Sequence, residues 1–493
     1  MDQIQHEMSL PVEIVHMVFE NLSPSEVRSV RLTCKKFAAV GAKHGFEEIH
    51  FYLRRVDLDK LIAIASHPLI SKGVKKLVYE PGTLPCRRLS FEEYSERNNI
   101  HIYRLRVERC KKNWLPSHTQ DWETPISPDD ILENYHQYNK AVDEQEDIVR
   151  KFEDYHVLES VMPRLTGLKE VTANNKFAVA GRKTPFDAFF VPIRYSSGGR
   201  QMESLMSGGG RRDLQIQSIR GLGIQWTYEG SFLFHKVTEA CENMNLKSIQ
   251  FEFDTVDFSL SADEDRHIDK TVQNVEAGEI ANLLQSQPDL ESLDIAFTHS
   301  SPYVMGYPAR LPNIITPGFR WSNLRDVRLR WILTEREELF AFLQQHRSTL
   351  QVLHLHYCRF ENNTSWIKFF SQMKKTMKLQ DVRITGYLTG QYEDPSEYDY
   401  VVEGSGEDMD DSEQNWWLGH PEPERPLPMF TRKLMDWLIR DHAPDPFINF
   451  KIMTSPWDED YDEYEYDYEP MDGDFQDPSI YEESDLEDSM DSS

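Results

Sequence analysis

His354, His356 and Cys358 alternate along one short stretch and are of the types that ligate transition metals. On a strand, alternate residues share a face about 6–7 Å apart. A tetrahedral site also needs convergent side chains and a fourth ligand, and the sequence offers neither, so no metal or cofactor is expected. The same stretch contributes to a basic cluster made of Arg328, Arg330, His354, His356 and Arg383, a candidate surface for binding a protein. Constellations for catalysis are missing: no GxSxG elbow, no HExxH, no phosphate loop, no GxGxxG after a strand and no papain-like cysteine context. The Gly/Ser-rich run at 195–211 lacks the lysine–serine ending and the helix that a phosphate cradle requires, and reads as a flexible linker. The chain is expected not to be an enzyme.

The cations sit in a recurring pattern: aliphatic, two variable residues, aliphatic, one variable, apolar. Strong copies begin at Leu246, Leu290, Leu324, Leu350 and Leu379, separated by 44, 34, 26 and 29 residues, with weaker ones at Leu168 and Ile216 and an early strand near 74–79. This is the LxxLxL core of leucine-rich repeats, whose period is about 20–29 residues. Two of the intervals therefore carry insertions. Apolar periodicity between the copies gives helices at Glu279–Gln287, after a capping box at Thr334–Glu337, and through Trp366, Phe369, Phe370 and Met373. Strand–helix alternation predicts an α/β fold, an irregular leucine-rich-repeat-like solenoid over 161–390. Gln250, Asp294, Arg328, His354 and Arg383 then form one exposed column, and Glu252, Ala296, Arg330, His356 and Thr385 the next. The basic end of this face is expected to bind a substrate protein.

Residues 9–48 predict a three-helix module. Pro11 suits a first helical position, Ile14 and Val18 are four apart, as are Val15 and Phe19, and Ser23-Pro24-Ser25-Glu26 is a capping box. Val27 and Val30 face inward. A third helix runs from about Leu32 to Val40, with Leu32, Phe37 and Val40 buried and Gly41 as its C-cap. Three short helices hold more apolar surface than they can hide among themselves.

This string, LPVEIVHMVFENLSPSEVRSVRLTCKKFAAVG, resembles an F-box: Leu10-Pro11, Glu13, Ile14, Val18, Leu22, Ser23-Pro24, Val27, Leu32, Cys34-Lys35 and Phe37 fall where the family pattern has them. A departure is Val18-Phe19 where Ile-Phe or Leu-Phe is frequent. The continuation through FEEIHFYL and ENYHQYNKAVDEQEDIVRKFED is similar to F-box proteins of filamentous fungi. The resemblance implies docking on a Skp-type adaptor, and through it a cullin, in an SCF ubiquitin ligase. By position it implies Leu10, Pro11, Ile14, Val18, Leu22, Val27, Leu32 and Cys34 as the adaptor-facing residues.

The 493 residues carry a net charge of −29, which excludes nucleic-acid binding by phosphate neutralisation. No Lys or Arg follows Lys451, while the last 42 residues hold 17 Asp and Glu, leaving −12 on residues 1–451. Residues 49–160 read as a connecting helical region, with one long helix from Asp129 to Leu158. Residues 391–414 read as an acidic loop, 415–455 as a C-terminal cap and 456–493 as a disordered acidic tail. Such a tail is a solubilising segment, a competitor for the basic face, or a hook for basic proteins. The last is the basis of an alternative expectation: a scaffold or chaperone-like binder outside ubiquitylation. Five scattered cysteines, Cys34, Cys86, Cys110, Cys241 and Cys358, suit free thiols. With neither a secretory signal nor a membrane-length apolar run, the expectation is a protein of the cytoplasm or nucleus that binds no membrane.

Overall fold

The computed structural model describes residues 10–80, 88–96, 128–174, 199–209, 214–225, 234–254, 273–298, 309–361, 366–391, 413–417 and 429–447. The acidic tail expected at 456–493, most of the acidic loop, Cys86 and Cys110 lie outside these residues.

Three helices open the chain: α1 (Val12–Glu20), α2 (Pro24–Val30) and α3 (Lys35–His44). Pro11 sits one place earlier than expected, at the cap of α1. At α2 the capping box forms. The Ser23 hydroxyl accepts from the Glu26 N–H, and the Glu26 carboxylate accepts from the Ser23 N–H at 2.7 Å. The third helix departs from expectation. It starts at Lys35 and runs through Gly41 to His44. A Cβ on Gly41 would stand 2.6 Å from the Phe19 ring and 2.3 Å from the Arg31 side chain. Gly41 thus serves close packing rather than helix termination. Leu32 lies in the turn before α3 and is 88% exposed, not buried.

The body alternates strands and helices. In chain order these are β1 (Glu48–Phe51), α4 (Arg55–Ser66), β2 (Lys76–Tyr79), α5 (Pro128–Lys151), α6 (Glu153–Val161), β3 (Glu170–Asn174), α7 (Gly199–Gly209), β4 (Ser218–Gln225), α8 (Phe234–Cys241), β5 (Ser248–Asp254), α9 (Glu279–Gln285), β6 (Ser292–Thr298), α10 (Leu311–Ile314) and β7 (Asp326–Arg330). There follow β8 (Leu333–Thr334), α11 (Arg336–Gln345), β9 (Val352–His356), β10 (Arg359–Phe360), α12 (Trp366–Thr376), β11 (Asp381–Thr385), β12 (Tyr387–Gln391), β13 (Glu413–Trp417) and α13 (Met429–Ile439). Nine strands form one parallel sheet in the order β1-β2-β3-β4-β5-β6-β7-β9-β11, which is chain order. Each connection carries at least one helix, as parallel pairing demands.

The repeated sequence pattern becomes rows across this sheet. Ile49, Leu77, Val171, Ile219, Ile249, Leu293, Val327, Leu353 and Val382 stand in register, and all are buried. The leading leucines, Leu168, Leu246, Leu290, Leu324, Leu350 and Leu379, are buried two residues ahead of their strands. Just before each strand the backbone continues the ladder. The N–H of Lys75, Lys169, Gln217, Lys247, Glu291, Arg325, Gln351 and Gln380 each reaches the carbonyl of its counterpart one unit back, at 2.7–2.8 Å. One apolar core runs through all the units, joining the strand rows to helix residues such as Leu61, Leu158, Leu205, Leu283, Phe342 and Phe369.

The last three units share a corner. After β7, β9 and β11 the next residue, Trp331, Tyr357 or Gly386, has φ of 57°, 51° or 84°. The Trp331 and Tyr357 rings stack at 4.5 Å and 8°. Gly386 completes the column because a Cβ there would meet the Tyr357 ring at 2.6 Å. This turn feeds the short second sheet, ordered β13-β12-β10-β8.

Four further expectations are corrected. The expected single helix Asp129–Leu158 is two, broken at Phe152, whose φ is 53°; past the break Asp154 turns inward to the Tyr79 hydroxyl and Arg200. The run at 195–211, expected as a flexible linker, contains helix α7, which buries Met202, Leu205 and Met206 against the core. At α11 the capping box is Glu335 with Glu338, one residue on from the expected pair. The ends of the expected acidic loop are strand: β12 pairs antiparallel with β13, Leu388 opposite Trp416. Beyond it, α13 seats Phe430, Leu434, Trp437 and Leu438 in the core.

Candidate protein-binding surfaces

The first surface is one side of the N-terminal module. Val15 and Phe19 of α1 close on Val27 of α2 and Val40 of α3, with Leu22, Val30 and Phe37 packed around them. The Phe19 and Phe37 rings meet edge-on at 5.9 Å. Val27 is therefore a core residue at 1% exposure, which corrects its expected place facing a partner. Leu22 is half-buried in the same cluster and offers little surface. The other side of α1 stays uncovered. Leu10, Val12, Ile14, Met17 and Val18 are 42–59% exposed. Leu32 adds to this apolar set from the turn before α3, and Pro11 and Cys34 are exposed as well. The Lys36 ammonium donates to the Leu10 carbonyl, tying the start of α3 to the start of α1. Six of the eight residues carried over by the resemblance thus lie exposed, along α1 and in the turn into α3. Val12 and Met17 were missed, although Met17 stands three places from Ile14, the step that marks a shared helix face. Cys34 also caps α3, its sulfur accepting from the Phe37 N–H at 3.4 Å.

Behind this platform His16 and His44 share a hydrogen bond of 2.8 Å. The His44 ring also stacks on Phe19 at 6.0 Å. Burial, then the neighbouring His16, lowers the affinity of His44 for a proton.

The second surface is the polar face of the sheet. Gln250, Asp294, Arg328, His354 and Arg383 stand in one register row, and Glu252, Ala296, Arg330, His356 and Thr385 in the next. Both columns read from the sequence therefore exist, but their character differs from the expectation. His356 is 6% exposed and hydrogen-bonds to Thr385 at 2.5 Å, so it cannot contact a partner protein. His354 meets Asp381 at 3.1 Å. Arg328 grips Asp326 with two hydrogen bonds of 3.1 and 2.9 Å, and Arg330 lies 4.0 Å from Glu252. The face is charge-compensated rather than uniformly basic, because Asp326 and Asp381 stand two residues before the cations on the same strands. Arg383 differs: among the described residues it makes no ion pair, and its Nε is buried without a hydrogen-bond partner, as is the Nε of Arg330.

Burial also sets protonation along these rows. It raises Asp294 to about 6, against the opposing pull of Arg330 and Arg328. It depresses His354 and, much further, His356, which the three arginines depress again. Among the described residues no three His, Cys, Asp or Glu are grouped to hold a metal ion, and Cys358 is buried with its thiol pushed up to about 12 by burial. No helix of the described residues is long and apolar enough to cross a membrane.

Compared with known protein families, residues 8–44 match the F-box-like model. No curated protein matches the chain.

Proposed function

We propose that this chain is the substrate-recognition subunit of an SCF-type cullin–RING ubiquitin ligase. The F-box-like module docks on a Skp-type adaptor, and the repeat sheet, a leucine-rich-repeat-like solenoid, holds a substrate protein. The observation that carries this reading is the uncovered apolar face of α1, with Leu10, Ile14, Met17 and Val18 exposed above a closed module core, on the segment that matches the F-box-like model. An apolar patch built on a folded element and left open marks a protein interface. Arg328, Arg330 and Arg383 are the residues proposed to meet the substrate, with His354 at their centre. The chain supplies no bond chemistry of its own. It raises the effective concentration of substrate beside a ligase-bound ubiquitin donor.

Affinity capture of the tagged full-length chain from its own cells tests the reading. Adaptor and cullin should be recovered together, and both should be lost when Leu10→Ala is combined with Pro11→Ala. Recovery of neither from the unmutated chain, or equal recovery after the substitutions, overturns it.

A further inference from the structure

Three guanidinium groups converge at one end of the polar sheet face. Arg328 and Arg330 stand on β7 and Arg383 on β11, with β9 between them. All three act electrostatically on the buried imidazole of His356. Asp326 matches Arg328. The others are matched less well. Arg330 is 31% exposed and reaches only Glu252, at 4.0 Å, and Arg383, half-buried on the edge strand, makes no ion pair among the described residues. A partly exposed guanidinium that lacks a close acid is met best by a carboxylate.

The chain carries such an acceptor in bulk. Residues 457–493 hold 17 Asp and Glu and no Lys or Arg. The last described residue, Phe447, packs against Phe370 of α12 and against Phe430 and Trp437 of α13. Helix α13 in turn packs on β11, the strand of Arg383. The path therefore leaves the described body at the arginine end of the sheet. Packed layers are about 10 Å apart and ten residues can extend to roughly 33 Å, so the chain between Phe447 and Asp458 is long enough to carry the acids around the edge of β11 to the polar face.

We infer that the acidic segment 457–493 docks on Arg330 and Arg383 of its own chain and competes there with any captured protein. Tethering favours the segment over a free competitor, because a short linker supplies an effective concentration in the millimolar range. The contact is exposed at its rim and therefore weakens with salt. Adaptor docking plays no part in it, so the inference and the ligase reading fail separately.

The test uses a fluorescent synthetic peptide of residues 457–493 and the full-length chain, read by anisotropy at low salt. One full-length variant has every Asp and Glu of that segment changed to the amide. The amide variant should bind the peptide, and the unmodified chain should bind it about tenfold more weakly or less, its own segment being in place. Adding Arg330→Gln and Arg383→Gln to the amide variant should cost about fivefold or more, with an unchanged thermal unfolding curve. Arg383→Gln alone, on the edge strand, repeats the test with least disturbance of the fold. Equal binding by the unmodified and amide chains, no binding by the amide variant, or indifference to the arginines overturns the inference.

Discussion

Asp294 shows how the polar face stores electrostatic cost. It accepts from the Gln250 side chain at 2.9 Å and lies near Arg328 and Arg330, yet burial outweighs them and its proton is held up to about pH 6. A carboxyl raised on folding binds more protons folded than unfolded. Stability therefore falls as pH rises from about 4 to 6 and stays lower above that window. Asp294→Asn should flatten this slope and raise stability at neutral pH by about 1–3 kcal/mol, measured by urea unfolding across the pH range. A second residue, Gly386, has φ of 84° against the Tyr357 ring. Gly386→Ala should lower the unfolding free energy by about 2 kcal/mol or more, from left-handed strain plus the ring clash, read as a lower urea midpoint. An unchanged midpoint would mean that the Trp331–Tyr357–Gly386 column does not hold the last units together.

At the scale of elements, the N-terminal module should be sensitive to acid. His44 is folded with its proton affinity lowered, by burial first and by His16 second. The unfolded module binds that proton more readily, so stability is fully present above about pH 6.5 and is lost as pH falls below it. Amide exchange in residues 12–44 should accelerate as pH falls below about 6.5, beyond the intrinsic rate, and His44→Asn should remove the acceleration. The same module shows what sequence pattern reveals and what it hides. Helix spacing and the Ser23–Glu26 box located α1 and α2 from residue types alone, and the LxxLxL period located most strands of the sheet. Pattern failed where tertiary packing overrode local signals. Gly41 looked like a helix stop because Phe19 and Arg31, which fill the space over it, are distant in sequence. Helix α7 was hidden by its glycines, although Met202, Leu205 and Met206 carry helical spacing. Val27 shows the limit of carrying roles over by position, since a motif residue can be core rather than contact. The basic column is legible in the sequence, whereas its acidic partners Asp326 and Asp381 stand two residues earlier, in a register row of their own.

The molecule as a whole joins two unlike surfaces: an apolar platform on α1 and a charged sheet face more than two hundred residues later in the chain. The proposed division of labour requires them to act independently. Ile14 and Val18 are 42% and 48% exposed and make no part of the module core, so Ile14→Asp with Val18→Asp should leave thermal unfolding unchanged. The direct measurement is size-exclusion chromatography of the purified full-length chain mixed with a cognate Skp-type adaptor. Co-elution as one stable complex, abolished by Ile14→Asp with Val18→Asp, is the expected result. Separate elution of the unmutated chain and the adaptor, or a complex that survives both aspartates, contradicts it.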